Sequence, residues 1–198
     1  ATALAVERNT FTENHIGLHL NTAMGLVGAV NNNTITGTNG IIRGMQLDGL
    51  DYDPLLPATT YPIQVTNNSV SLRGDGFRAM NSKRINFEQN SVYIYHGQSI
   101  STLPNNGFYV AGCEYVRIFD NPNIRSNVTS PTLAMRPVRG IFVTMSPNTE
   151  VRCNDIADWG RCVVWENECR PSVMMNNSLR NAYDGLVLTG NAFIGEQG

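Results

Sequence analysis

The hydrophobic positions of the chain recur in short segments in which apolar and polar residues alternate. Leu18 and Leu20 flank His19, and the same alternation occurs at positions 108–110. Alternation of this period is typical of β-strands that bury one face, because successive side chains of a strand point to opposite sides. The pattern therefore predicts an all-β chain built from many short strands.

A short asparagine motif repeats along the chain: an apolar residue, two variable residues, Asn, one variable residue and a second apolar residue. Val65, Asn68 and Val70 are one example. The seven motif asparagines are Asn9, Asn33, Asn68, Asn90, Asn121, Asn154 and Asn177. They are separated by 24, 35, 22, 31, 33 and 23 residues. A fixed motif with variable spacing indicates one repeated structural unit that carries loops of different lengths.

A second pattern, a glycine followed by an apolar segment, lies inside each unit. The glycines assigned to it are Gly17, Gly40, Gly76, Gly107, Gly140, Gly160 and Gly185. Each unit thus has three segments, which we call before-Asn, after-Asn and after-Gly. No segment can bury a face alone, but stacking the units in parallel gives a continuous interior. We therefore predict about seven coils of three strands, in a single domain over residues 1–198.

The motif asparagines are predicted to lie at the bend between the before-Asn and after-Asn segments. Asparagine tolerates the left-handed backbone conformation that a tight bend requires. Stacked in register, the side-chain amides would hydrogen-bond from coil to coil, as in stacked cross-β assemblies. The expectation is an asparagine ladder along one bend.

With this repeat, the chain resembles the right-handed parallel β-helix superfamily of pectate-lyase-like and sugar-hydrolase-like proteins, over residues 4–193. The resemblance implies a single-stranded right-handed parallel β-helix with a substrate groove over the outer face of the after-Gly strands. The same coil serves lyases, hydrolases, phage tail parts, adhesins and inert stalks, so it does not specify a function. A β-sandwich is the alternative fold, but it does not explain the asparagine motif.

Alternation assigns seven residues to the face where the resemblance implies a groove: His19, Ile42, Arg78, Tyr109, Phe142, Val163 and Val187. Glycoside hydrolysis requires two carboxyl groups about 5–9.5 Å apart, and none of these positions is acidic. We interpret His19, Arg78, Tyr109 and Phe142 as a binding groove in which the two rings form a sugar-stacking platform. Two alternatives stay open: loops bury both rings, or the rings contact a protein partner.

Acidic residues elsewhere have other expected roles. Asp75 and Asp184 precede glycines and are expected to form turns. Asp48, Asp51 and Asp53 lie in the insertion after the second unit's glycine and offer oxygen ligands to calcium. A solvated loop is the main expectation there, because three carboxylates do not supply the 6–8 ligands that calcium takes. No cofactor is predicted.

Four cysteines allow three pairings, and the sequence does not choose among them. They are Cys113, Cys153, Cys162 and Cys169. Cys153–Cys162 and Cys162–Cys169 are the candidate disulfides if the compartment is oxidising. Cys162 is otherwise expected to be a small core residue.

Composition narrows the function classes. Charged residues make up 15% of the 198, the net charge is −2, Lys83 is the only lysine, and there are 24 asparagines. A chain without a basic run lacks the surface that neutralises phosphates, so a nucleic-acid partner is not expected. The apolar runs are far shorter than the ~20 residues that cross a bilayer, so membrane insertion is not expected either.

These observations lead to one functional expectation with two alternatives. We expect a non-catalytic, extracellular or bacterial cell-surface module that binds carbohydrate or a protein partner. The alternatives are a polysaccharide lyase or glycoside hydrolase whose acids come from loops, and a structural rod in a larger assembly. Neither end of the sequence shows a polar cap. We therefore expect neighbouring sequence or another subunit to continue the stack, with this chain as a module of something longer.

Overall fold

A computed structural model of the chain describes residues 2–21, 26–38, 43–50, 60–95 and 105–195. Within these ranges, nineteen strands form two sheets in which every strand pairing is parallel. One turn of 3-10 helix spans Leu133–Met135. The prediction of an all-β chain with parallel strands is confirmed. No helix in the described ranges is long and apolar enough to cross a membrane.

The seven-stranded sheet consists of the before-Asn segments. Its strands, in spatial order, are β1 (Thr2–Glu7), β4 (Leu26–Asn31), β7 (Ile63–Thr66), β10 (Ile85–Glu88), β13 (Arg117–Phe119), β16 (Glu150–Arg152) and β18 (Val173–Met175). The apolar residue that begins each motif stands opposite its counterpart in the next unit. Val65 is opposite Phe87, for example, and Ile118 is opposite Val151. The motif therefore sets the register of this sheet.

The twelve-stranded sheet has two arms. The after-Asn arm contains β2 (Thr10–Thr12), β5 (Thr34–Gly37), β8 (Ser69–Leu72), β11 (Ser91–Ile94) and β14 (Asn123–Ser126). The after-Gly arm contains β3 (Ile16–Asn21), β6 (Arg43–Asp48), β9 (Asp75–Met80), β12 (Asn105–Ala111) and β15 (Val138–Thr144). Two long strands, β17 (Asp155–Glu166) and β19 (Ser178–Thr189), extend across both arms and pair with each other.

These two long strands differ from the predicted three strands per unit. In the last two units the after-Asn and after-Gly segments are one continuous strand, because no insertion separates them. The chain bends within each strand at a residue with left-handed backbone, Asp158 (φ 68°) in β17 and Asn181 (φ 47°) in β19. The bend takes the place of a connecting loop.

Two of the predicted glycine positions are wrong. In the second unit Leu18 pairs with Met45, so the glycine that precedes the pairing segment is Gly44. The predicted Gly40 lies outside the described residues. In the sixth unit the corresponding position is occupied by Cys162 instead of Gly160, because Ile141 pairs with Val163.

Seven asparagine side chains are hydrogen-bonded in series at the bend between the seven-stranded sheet and the after-Asn arm. From Asn9 to Asn154, each Nδ2 donates to the Oδ1 of the next motif asparagine at 2.8–3.2 Å. Each backbone N–H donates to the same oxygen at 2.8–3.1 Å. We call this series the asparagine ladder.

The left-handed backbone at this bend belongs to the residue before each motif asparagine, which corrects the prediction. These residues have φ between 50° and 58°: Arg8, Asn32, Asn67, Gln89, Asp120, Cys153 and Asn176. The motif asparagine is required instead for the hydrogen bonds of its side-chain amide. Its oxygen accepts bonds from one neighbouring unit, while its nitrogen also donates to a backbone carbonyl, as Asn90 does to Val65 at 2.8 Å.

Apolar side chains of both sheets fill one continuous core. Phe77 and Phe108 stack with ring centroids 4.9 Å apart, and Phe87 meets both rings edge-on. Trp159 is wholly buried and donates its indole N–H to the carbonyl of Ile124 at 3.1 Å. The buried indole therefore keeps a hydrogen-bond partner, as buried polar groups require.

All four cysteines are free thiols, so neither of the disulfides considered above is present. Cys113, Cys162 and Cys169 are buried, and Cys153 is half-buried. Burial raises the pKa of the Cys113 thiol to about 11 and that of Cys162 to about 12. The buried thiols thus behave as small core residues.

Candidate functional site

The outer face of the after-Gly arm carries a row of residues that face one another across the parallel strands. The Tyr109 row consists of His19, Gln46, Arg78, Tyr109, Phe142, Val164 and Val187. It contains the four predicted groove residues. Gln46 takes the place assigned to Ile42, which lies outside the described residues. Val164 takes the place of Val163, whose side chain is wholly buried in the core.

The two rings of this row do not form an open stacking platform. Phe142 is only 6% exposed, and Tyr109 is half-buried. The guanidinium carbon of Arg139 lies 4.1 Å from the centroid of Phe142, and that of Arg78 lies 4.5 Å from the centroid of Tyr109. Each ring therefore has a face covered by an arginine, which leaves that face closed to a sugar.

Asp75 lies beside this row, and the prediction that it forms a turn is wrong. It is the first residue of β9 and is 7% exposed. Its Oδ1 accepts a hydrogen bond from Asn106 Nδ2 at 2.7 Å, and its Oδ2 lies 3.1 Å from Nη1 of Arg78. Burial raises the pKa of this carboxyl, although Asn106 and Arg78 both oppose the rise. The aspartate is thus held in place within the sheet.

Asp184 is likewise inside a strand instead of a turn. It lies in β19, and its Oδ2 is 3.1 Å from Nε of Arg161 and 3.3 Å from Nε of Arg136. The glycine that follows each of these two aspartates continues a strand, so neither of these Asp-Gly pairs forms a turn.

A cleft of about 490 Å³ opens on a different surface, over the outer face of the seven-stranded sheet. We call it the Tyr61 cleft; it is lined by Tyr61, Tyr115, Arg117, Asn148, Thr149, Glu150, Arg152, Pro171, Ser172 and Val173. Strands β13, β16 and β18 form its floor, and the segments that enter these strands form one wall. None of its lining residues belongs to the predicted groove.

Three charged side chains meet in this cleft. Arg117 and Glu150 stand opposite each other on β13 and β16, and Nε of Arg117 lies 3.4 Å from Oε2 of Glu150. Nε of Arg152 lies 3.5 Å from the same oxygen but makes no hydrogen bond, so that contact is only an ion pair. All three side chains are about one-third exposed, at 32%, 31% and 35% for Arg117, Glu150 and Arg152. They can therefore contact a molecule that enters from solvent.

Two half-buried tyrosine rings complete the cleft. The guanidinium carbon of Arg117 lies 5.2 Å from the centroid of Tyr61. Burial, and then the negative charge of Glu150, raise the pKa of Tyr61. Its phenol therefore remains a hydrogen-bond donor at neutral pH. Arg84 lies 5.5 Å from the centroid of Tyr115.

The structure indicates no metal centre in its described part. Asp48 ends β6, while Asp51 and Asp53 lie outside the described residues. Among the described residues, no group of three or more His, Cys, Asp and Glu side chains is arranged to hold a metal ion.

No protein-family model, no curated protein and no solved structure matches this chain. The functional argument therefore depends on the chemistry of the Tyr61 cleft and the Tyr109 row.

Proposed function

We propose that the chain is a non-catalytic glycan-binding module and that the Tyr61 cleft is its binding site. We further propose that the parallel sheets form a right-handed β-helix of about seven coils, located at the cell surface or outside the cell. One observation carries the functional proposal: two half-buried tyrosine rings and three partly exposed charged groups share a cleft of about 490 Å³. Small-ligand sites typically have volumes of ≈300–1,000 Å³ and combine apolar walls with a few polar groups.

The chemistry of the lining suits a sugar. Tyrosine presents an apolar ring face with a polar tip, and sugar rings offer both C–H faces and hydroxyl groups. Arg117 and Glu150 supply hydrogen-bond donors and acceptors on the floor of the same cleft. Because Arg117 and Arg84 lie over one face of Tyr61 and Tyr115, a ligand would stack on the opposite ring face while its hydroxyls bond to the charged groups.

The strands of the cleft floor are hydrogen-bonded into the sheet, which favours binding. Strand β16 pairs in parallel with β13 on one side and with β18 on the other. Each of them leads directly into the asparagine ladder, at Asn121, Asn154 and Asn177. The backbone that carries the lining residues is therefore in place before the ligand arrives, so less conformational entropy is lost on binding.

The cleft supports binding over hydrolysis. Glu150 is the one carboxyl group among its lining residues, and two arginines hold it. Acid–base cleavage of a glycosidic bond requires a pair of carboxyl groups. The enzyme alternative predicts release of reducing or unsaturated ends from a panel of polysaccharides, which an assay of the purified chain measures directly.

The proposal is tested by screening the wild-type chain on a glycan array and titrating the best ligand calorimetrically. Tyr61→Ala and Tyr115→Ala should each lower the affinity by about tenfold, equivalent to about 1.4 kcal/mol. Tyr93→Ala is the matched control, because Tyr93 is a half-buried tyrosine on the after-Asn arm that packs against Tyr95. Unchanged affinity in both cleft variants, or an equal loss in the control, would contradict the proposal. Tyr109→Ala tests the Tyr109 row in the same titration.

A further inference from the structure

The charges in the Tyr61 cleft do not balance. Two guanidinium groups, of Arg117 and Arg152, share the single carboxylate of Glu150. The cleft therefore carries an excess positive charge, although the whole chain has a formal net charge of −2. A local excess of this sign in a partly enclosed space attracts anions, because low-dielectric walls focus the field.

The arginines also retain donor capacity. A guanidinium has five N–H donors in a planar fork. Within the described part of the chain, Arg117 and Arg152 contact Glu150 through their Nε atoms, and neither donates a hydrogen bond to another residue. The terminal N–H groups at the end of each fork are thus left for a ligand.

On the basis of the proposed function, we propose that the glycan is acidic: a hexuronate oligosaccharide whose carboxylate binds the guanidinium groups of Arg117 and Arg152. Arginine and carboxylate form paired, charge-assisted hydrogen bonds that are about twice as strong as neutral ones. The ring of Tyr61 or Tyr115 packs against the sugar that carries the carboxylate. The proposal thus assigns the polar and the apolar lining to two parts of one ligand.

Glu150 has an opposing role in this arrangement. Its Oε2 occupies the position between the two arginines that a ligand carboxylate would share. It therefore competes with the ligand for the guanidinium groups and repels its charge. Removing the charge of Glu150 should strengthen binding of an acidic sugar, whereas a purely structural ion pair would give no gain.

The test compares two trisaccharides that differ only at C6, β-1,4-linked triglucuronate and cellotriose. Isothermal titration of the wild type should give at least tenfold tighter binding of triglucuronate, and the preference should decrease with added salt. Arg152→Gln should remove most of the preference, and Arg152→Lys should restore part of it. Glu150→Gln should tighten triglucuronate binding severalfold and should give no such gain for cellotriose, which carries no charge. Arg125→Gln is the control, since Arg125 pairs with Asp155 on another face.

The outcomes separate this inference from the proposed function. Equal affinity for the two trisaccharides, or triglucuronate binding in Glu150→Gln that is no tighter than in the wild type, would overturn the inference. If cellotriose still binds and depends on Tyr61, the glycan-binding function remains supported. If no sugar binds, both fail. Thermal melting of each variant identifies loss of fold, and Arg152→Lys gives a result that does not depend on Arg152→Gln being stable.

Discussion

The side-chain amide of Asn68 donates a hydrogen bond to Oδ1 of Asn90 at 3.0 Å, and the backbone N–H of Asn68 donates to the same oxygen. The two residues are 22 positions apart in sequence, and both are buried. A single side-chain oxygen therefore satisfies two donors of the neighbouring unit. Because the motif has one such residue in each unit, the bond is repeated along the ladder.

Replacing Asn90 with alanine should destabilise the chain by about 1–3 kcal/mol. The change removes the acceptor of the Asn68 N–H, and a buried group left without a partner costs about this much. Asn9→Ala is the matched control, since Asn9 is at the end of the ladder and exposed. Asn9→Ala should lower the free energy of unfolding by less than Asn90→Ala does. Urea denaturation of the three proteins measures the difference.

Asn90→Asp gives a sharper version of this test. The aspartate keeps the acceptor for Asn68 but loses the donor to Val65 and faces Oδ1 of Asn121 with a second oxygen. If both the donors and the acceptors of the ladder stabilise the fold, this isosteric substitution should also destabilise the chain. A variant as stable as the wild type would contradict that interpretation.

The register of the sheets was predictable from the asparagine motif because the motif fixes the position of its flanking apolar residues. Val70 pairs with Val92, and Val92 pairs with Ile124, although Ile124 is one place late in its motif. The glycine pattern predicted the positions of the strands less well. Gly40 and Gly44 both precede apolar segments, and only the strand pairing identifies Gly44.

The Tyr61 cleft was not predictable from the after-Gly segments, because none of its lining residues lies on them. Its charged residues flank buried apolar residues of the asparagine motif, as Arg117 precedes Ile118 and Arg152 follows Val151. This alternation was a visible signal of an outer face rich in charge. The position of Tyr61 was not predictable, because Tyr61 lies at the end of a long insertion. No alternation of apolar and polar residues there assigns it to a face of a sheet.

Gly107→Ala should destabilise the chain by about 1–3 kcal/mol, the usual cost of an overpacked core. A Cβ on Gly107 would lie 2.5 Å from the carbonyl oxygen of Gly140 and 3.1 Å from Cγ2 of Ile124. Gly185→Ala is the control, because its Cβ would meet no atom closer than 3.9 Å. Comparable melting temperatures for the two variants would show that the close approach at Gly107 is not needed.

Thiol labelling should distinguish the four cysteines. An aromatic disulfide reagent at pH 8 should label one thiol of the folded chain, Cys153, and four after unfolding, because the other three are buried. Cys153→Ser should abolish most of the labelling of the folded chain, whereas Cys113→Ser should leave it unchanged. Rapid labelling of two or more thiols in the folded chain would contradict the packing described here.

Two aspartates should give opposite dependences of stability on pH. The native pKa of Asp75 is raised above its ordinary value of 3.8 by burial. At Asp155 burial acts in the same direction, but hydrogen bonds from Arg180 and Arg125 outweigh it and lower the pKa. Stability from Asp75 is therefore present below pH 3.8 and lost as the pH rises through its native pKa. Stability from Asp155 is present above pH 3.8 and lost as the pH falls through its native pKa.

Urea denaturation of the wild type, Asp75→Asn and Asp155→Asn, from about pH 3 to about pH 7, measures both effects. Relative to Asp75→Asn, the wild type should gain free energy of unfolding as the pH falls. Relative to Asp155→Asn, the wild type should lose free energy of unfolding as the pH falls. Each variant removes one titrating carboxyl, so the difference in free energy of unfolding between the wild type and that variant reports one site. Parallel curves for the two variants would mean that burial of Asp75 does not outweigh its bonds to Asn106 and Arg78, and that the ion pair dominates at this position.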